Sequence, residues 1–182
     1  MNDKNITNLS LPIRSRLGLG YLTQEASIFR DLTVRDNIDL ALQNSSYSFA
    51  AIRNRREQLI YEFNLNKFVD NYGFQLSGGE RRRCEIARAL SVGRKGPKYL
   101  LLDEPFAGID PLAVNDLKKL ILKLSSDGVG ILITDHNVRE TLLITNKSYV
   151  LSEGKILAKG SSSELADNPI VKKYYLGDNF KL

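Results

Sequence analysis

Two neighbouring carboxylates, Asp103 and Glu104, leave an apolar run in the stretch "YLLLDE". A hard divalent cation takes oxygen ligands, so an aspartate delivered at a strand exit can hold Mg²⁺ directly or through water. A glutamate beside it can polarise a water for attack on a phosphoryl group. The stretch "GILITDH" repeats the arrangement and carries Asp135 and His136, the single histidine of the chain, to the end of a second apolar run. An imidazole there can donate to a phosphate oxygen, where charge accumulates during transfer. Gln24, at the end of "GYLTQ", has an amide able to reach a metal or the attacking water. Each also has a plainer reading: a solvated acidic pair ahead of Pro105, a surface histidine, a glutamine in a turn.

The stretch "LSGGERRRCEIARAL" poses a sharper choice. Ser77 and Glu80 have the spacing of a capping box, the ordinary opening of a helix. Capping does not call for Gly78 and Gly79, which cost ~1 kcal/mol each relative to alanine in a helix. The first N–H groups of a helix lack partners, and the macrodipole adds partial positive charge there. Bare glycines let an anion approach those amides. Phosphate binding accounts for all four residues, so a phosphate-holding helix start is expected. Arg81 and Arg88 flank Glu85 at i+4 and i+3 spacing, which predicts a salt-bridged helix face for the arginine run. No aromatic residues interleave it to stack bases, so nucleic acid is not an expected partner.

Those groups need elements to position them. "LGLGYL" reads as a short strand in which Gly18 and Gly20 permit close backbone approach. Thr33 can cap a helix with Val34, Ile38 and Leu42 on one face, and a charged helix follows from about Ala50 to Phe63. The glycine-bearing stretch opens a helix running to Leu90, and "SVGRKGPK" is a surface loop. "KYLLLDE" and "GVGILITD" have the continuous apolar character of strands buried on both faces. Between them Pro111 begins a helix with Leu117, Leu120, Ile121 and Leu124 on one side. A helix from Asn137 to Ile144 follows, then a hairpin turning at Glu153-Gly154, a short helix capped by Ser161 and Glu164, and a tail with Tyr174 and Tyr175. Alternating strands and helices predict an α/β domain with a partly parallel sheet.

Composition sets the outer bounds. A chain of 182 residues suits one domain with a real core, and 42% hydrophobic with 26% charged residues is ordinary for a globular protein. No apolar run reaches the ~18–20 residues that span a bilayer. The lone cysteine, Cys84, cannot close an internal disulfide, which suits a reducing cytoplasm and a buried apolar role. A net charge of +5 is mild and fits attraction to phosphate or simple solubility.

In this order the pieces resemble the nucleotide-binding domain of ABC transporters, over nearly the whole chain. "LSGGE" resembles the signature motif and "YLLLDE" the Walker B motif. The resemblance implies a P-loop NTPase-like α/β fold with a helical subdomain, ATP and Mg²⁺ as cofactors, and specific roles. Asp103, with Gln24 of the Q-loop, would hold Mg²⁺; Glu104 would be the catalytic base and His136 the switch. Ser77, Gly78, Gly79 and Glu80 would bind the nucleotide of a second subunit in a homodimer, and Asp110 would close the D-loop. "YLTQEASIFRDLTVRDNI", "LLDEPFAGIDP", "ITDHNVRETL" and the ending "YYLGDNFKL" are similar to the cytoplasmic ATPases of lipopolysaccharide-export transporters. In those, the segment from Ala26 to Arg35, with Phe29 and Arg30, faces integral-membrane subunits on the inner face of the inner membrane, and the ATPase does not touch the cargo. The implied parts are a helical subdomain at about 33–90, a Walker B to H-loop core and hairpin at 97–160, and a helical tail at 161–182.

The phosphate-cradling loop of the family, G-x-x-x-x-G-K-[ST], has no counterpart in the sequence, so the resemblance is to the C-terminal two thirds of the domain. The 182 residues alone are therefore expected neither to bind ATP tightly nor to hydrolyse it. The rival readings are a non-catalytic remnant that offers its signature helix to a complete partner, and the ATPase of a branched-chain amino-acid importer. The ATPase head of a DNA-repair protein would need long heptad coiled coils, which are absent from the sequence.

Overall fold

The computed structural model describes residues 1, 5–45, 47–93 and 96–177, with residue 175 by its backbone alone. Arg94 and Lys95 of the expected loop and tail residues 178–182 lie outside the described residues. The chain divides into two compact units, Met1–Thr134 and Asp135–Leu182.

The first unit is built on a parallel sheet of β1 (Leu19–Leu22), β2 (Tyr99–Asp103) and β3 (Gly130–Thr134), in the order β1-β2-β3. Leu22 pairs with Leu102, and Asp103 with Thr134. Parallel neighbours require crossovers. Helices α2 (Val34–Gln43), α3 (Phe49–Glu62) and α4 (Gly78–Ala89) occupy the first, and α5 (Pro111–Ser126) the second. All three strands therefore end at one edge of the sheet, where ligands of open α/β sheets bind.

The helices follow their sequence signals closely. The Thr33 hydroxyl accepts the Asp36 N–H, and Val34, Ile38 and Leu42 are fully buried. Helix α3 starts one residue earlier than its pattern suggests because Ser48 caps it, accepting from the Ala51 N–H. Asp110 caps α5, whose Val114, Leu117, Ile121 and Leu124 are buried, with Leu120 at the margin of the stripe.

Two expectations change. Helix α1 (Leu11–Arg16) precedes β1 and takes in residues with no buried side chain, so periodicity gave no signal for it. Leu17 ends that helix and Gly18, at φ +97°, turns the chain, so the strand begins only at Leu19. The close approach falls at Gly20, where a Cβ would stand 2.3 Å from the Ala89 carbonyl oxygen. Nor are β2 and β3 buried on both faces. Leu100 and Leu102 are buried while Tyr99 is 38% exposed, and Leu132 on β3 is 61% exposed. Among the described residues β3 pairs on one side only, so its apolar residues serve an outer strand.

In the second unit, Asn137 caps α6 (Val138–Leu142), shorter than its pattern. Strands β4 (Ser148–Ser152) and β5 (Lys155–Gly160) form the expected hairpin; Glu153 and Gly154 turn it with φ of 48° and 75°, as a primed turn requires. Ser161 and Glu164 make a full capping box for α7 (Ser162–Asp167), and α8 (Pro169–Val171) continues into a π-turn at Lys172–Leu176. Leu142, Val150, Leu165 and Val171 form its core. No helix among the described residues is long and apolar enough to cross a membrane.

Candidate functional site

The capping box at the start of α4 is complete: the Ser77 hydroxyl accepts the Glu80 N–H, and the Glu80 carboxylate accepts the Ser77 N–H. Those bonds leave the first-turn N–H groups of Gly78 and Gly79 as the unpaired donors of the helix start. Ser77 is exposed, whereas Gly79 is buried. A Cβ on Gly79 would lie 2.8 Å from the Ala113 Cβ on α5, and one on Gly78 would lie 3.1 Å from the Gly108 carbonyl oxygen. Packing within the chain therefore gives the glycines a second reason to be glycine, one that anion binding alone does not supply.

Arg82, one turn further along α4, joins that helix to the sheet edge. Its guanidinium has five N–H donors, and each has an acceptor. Nε donates to the Pro105 carbonyl; Nη1 to the Thr23 carbonyl and the Glu85 carboxylate; Nη2 to the carbonyls of Asp103 and Glu104. Arg82 is 5% and Glu85 3% exposed. A buried charge pair with one partner removed is strongly destabilising, because the other charge is left uncompensated. The salt-bridged solvent face expected of Arg81, Glu85 and Arg88 is thus replaced by an interior pair of Arg82 with Glu85. Arg88 turns instead to the Ser27 carbonyl and the ring of Phe29, 4.5 Å from its centroid. The helix simply presents the Arg82, Glu85, Ile86 and Ala89 side inward.

At the end of β2, Asp103 Oδ1 accepts from the Thr134 hydroxyl at 2.5 Å, while its Oδ2 has a long 3.5 Å contact with the Tyr21 hydroxyl. Glu104 adopts φ of 45°, an unusual left-handed conformation for a residue with a side chain. Its N–H donates to the Thr134 carbonyl and its own carbonyl accepts from Arg82, which together hold the strained peptide in place.

The segment after Gln24 is held by two buried side chains, Glu85 and Asn37. Glu85 Oε1 accepts the N–H groups of Ser27 and Ile28 at 2.8 and 3.1 Å. Buried Asn37 accepts the Phe29 N–H and donates to the carbonyls of Phe29, Leu32 and Thr33. Beneath the segment lies a cavity of about 640 Å³, lined by Leu11, Tyr21, Ala41, Arg88 and Leu101 among others, with Arg14 at its wall. Arg14 Nε and Arg88 Nε are buried there without hydrogen-bond partners, and burial lowers the pKa of Arg88.

The structure thus brings Asp103, Glu104 and the helix start at Ser77–Glu80 into one connected assembly, through Arg82. Gln24 is exposed and directly follows Thr23, which Arg82 also holds. Asp110 accepts the N–H groups of Leu112 and Ala113 and borders Gly79. Phe29 and Arg30 are exposed, Phe29 at 45%. His136 belongs to the second unit, where its Nδ1 stands 3.9 Å from Asp135 Oδ1, close enough to pair when the ring is protonated. Cys84 is fully buried with its thiol pushed up to about 12 by desolvation, which suits the apolar role and excludes a ready thiolate. Sequence reasoning passed over Arg82, put Glu85 in a solvent-facing ion pair, and gave Asn37 and Thr134 no part in the site. The first two were legible as charges at i, i+3 on the stripe that carries Ile86 and Ala89.

A family model described as ABC transporter matches residues 1–107. The lipopolysaccharide export system ATP-binding protein LptB of Acidithiobacillus ferridurans is 48% identical over 182 residues, covering 100% of this chain and 74% of that protein. Among solved structures, the ADP conformation of MJ1267, an ATP-binding cassette of an ABC transporter, superposes with a TM-score of 0.81 at 25% identity, covering 98% of this chain and 76% of that one. A dimeric post-hydrolysis state of the cassette MJ0796, bound to ADP and Pi, gives 0.71 at 25% identity, covering 88% and 69%. The matched family model, the full-length relative and the shared cassette fold place this chain in the ABC transporter family, among its ATP-binding proteins.

Proposed function

We propose that this chain belongs to the ATP-binding and ATP-hydrolysing subunit of an ABC transporter that draws lipopolysaccharide from the inner membrane. It works on the cytoplasmic face of that membrane as one of two paired ATPase subunits. The observation that carries this reading is the 48% identity, along the whole chain, with a lipopolysaccharide export ATP-binding protein.

The chemistry of the site fits the role. Among the described residues no cluster of three or more His, Cys, Asp or Glu could hold a metal alone. Mg²⁺ is ordinarily held by one or two carboxylates together with substrate phosphates. Asp103, whose Oδ2 is nearly uncommitted, suits that arrangement, with Gln24 as a second oxygen donor. ATP with Mg²⁺, when bound, supplies the phosphoryl group that passes to water. Glu104 takes the proton of that water, and His136 donates to a phosphate oxygen. Ser77, Gly78, Gly79 and Glu80 serve the nucleotide of the other subunit across a two-fold contact, with Asp110 beside them. Segment 33–90 acts as the helical subdomain.

The segment from Ala26 to Arg35, exposing Phe29 and Arg30, meets the membrane subunits. The cavity behind it accepts an apolar helix, and the unpaired Nε atoms of Arg14 and Arg88 favour one that carries a carboxylate. The test is recovery of inner-membrane subunits with the tagged chain, followed by their identification. Recovery of lipopolysaccharide-export subunits is expected; recovery of an amino-acid permease would overturn the cargo assignment.

A further inference from the structure

The Glu85 carboxylate faces two ways, and nothing in the roles above uses it. Oε2 receives Nη1 of Arg82 at 3.2 Å, and that same guanidinium holds the carbonyls of Asp103 and Glu104. Oε1 receives the N–H groups of Ser27 and Ile28. Ser27 is an exposed residue, and neither N–H belongs to a helix or strand. Backbone donors in such a segment are ordinarily left to water; here a carboxylate 1% exposed takes both. Glu85 also lies on α4, whose first turn is the nucleotide-facing end in the reading above, and this inference rests on that reading.

We infer that Glu85 is a positioning residue that latches the membrane-facing segment to the signature helix. With Arg82 it makes one rigid body of the helix start, the acidic strand exit and the loop that bears Phe29. A shift of α4 on nucleotide engagement is then delivered to the Phe29 region through the Ser27 and Ile28 N–H groups, without a separate hinge. Charge-assisted bonds of a buried carboxylate to N–H groups are among the stronger hydrogen bonds available for such a joint. Asn37 on α2 holds the far end of the same loop through Phe29, Leu32 and Thr33.

The test is residue-resolved amide hydrogen exchange on the 182-residue chain, followed by capture of membrane subunits. In the native chain the Ser27 and Ile28 amides are expected to exchange as slowly as those in the middle of α4. Rates typical of an open loop at these amides, beside a protected α4, would overturn the latch without need of any variant. Glu85→Met keeps the length and deletes both acceptor oxygens; loss of Arg82's partner loosens the whole unit, and exchange at the two amides should rise at least tenfold more than exchange in β2 and α4. Glu85→Gln, which retains one oxygen, should fall between. A uniform rise across the unit, or no rise at the two amides, contradicts the inference. Glu85→Met should also recover several-fold less of the membrane subunits than the native chain, and equal recovery with freed amides refutes the positioning role. If the native chain itself recovers no membrane subunit, the transporter reading fails and the coupling role with it, while the exchange rates still decide the latch.

Discussion

Substituting Gly79 by alanine separates packing from anion binding at the signature helix. The added Cβ would stand 2.8 Å from the Cβ of Ala113, where ordinary carbon contacts are about 3.5–4.0 Å. One helix must back away from the other by roughly 1 Å. Overpacking of this kind costs about 1–3 kcal/mol, and alanine recovers up to ~1 kcal/mol of helix propensity. A net loss of about 1–2 kcal/mol is expected. At about 2–4 °C per kcal/mol for a chain of this size, Tm should fall by roughly 2–8 °C. Thermal unfolding followed by circular dichroism, with no nucleotide present, measures it. Ala113→Gly removes the opposing methyl, so the double variant should unfold at a higher temperature than the sum of the single effects allows. An unchanged or raised Tm in Gly79→Ala, or strict additivity in the pair, would refute the packing argument and return Gly79 to anion binding alone.

Further outcomes follow from other sites. Gly20→Ala drives a Cβ to within 2.3 Å of a backbone oxygen and should cost about 3 kcal/mol or more in denaturant melts, the largest loss of any glycine in the first unit. Asn37→Ala leaves the Phe29 N–H without its acceptor, while the carbonyls of Phe29, Leu32 and Thr33 keep the backbone N–H groups of Leu32, Gly73 and residue 37, and it should cost about 1–2 kcal/mol, seen as a lowered urea midpoint. The Cys84 thiol should resist alkylation at pH 8 until the chain is unfolded. Its folded pKa of about 12 lies above the ordinary 9.0, so its contribution to stability is complete below pH 9 and fades as pH rises towards 12. Cys84→Ala should therefore flatten part of the alkaline loss of stability, read from denaturant midpoints between pH 9 and 11. Ser77→Arg, at an exposed cap, should cost only ~1 kcal/mol of stability. It should nonetheless abolish ATP-dependent association with a full-length relative such as the Acidithiobacillus ferridurans protein, measured by light scattering; undiminished association would remove the signature helix from the pairing surface.

The elements with strong local grammar were legible from the residues alone. Thr33, Ser77 and Ser161 each announce a helix start and cap the helix they precede, and Pro111 announces another, which the structure shows capped by Asp110. Glu153-Gly154 announces the hairpin. Apolar runs identified the strands but not their surroundings, because "YLLL" and "ILI" read alike whether a strand is central or outermost. Helix α1 escaped because it buries nothing and so leaves no periodic trace. At the site, the acidic pair and the glycine-bearing turn stood out by type and spacing. What joined them did not: hydrogen bonds from a side chain to distant carbonyls depend on the folded path of the main chain, and no residue identity encodes them. The arginine run even pointed the wrong way, since charge suggests solvent until burial says otherwise.

Arg82 carries a consequence for variation in this chain. Four of its five bonds end on main-chain oxygens, at Thr23, Asp103, Glu104 and Pro105. Those oxygens persist whatever side chains are mounted there, so the wiring tolerates drift at its receiving ends but none at its source. A lysine, with three donors and no plane, would leave carbonyls stranded in the interior. Mutational tolerance around this centre should accordingly be lopsided: permissive where the contacts land, and unforgiving at the single guanidinium from which they radiate.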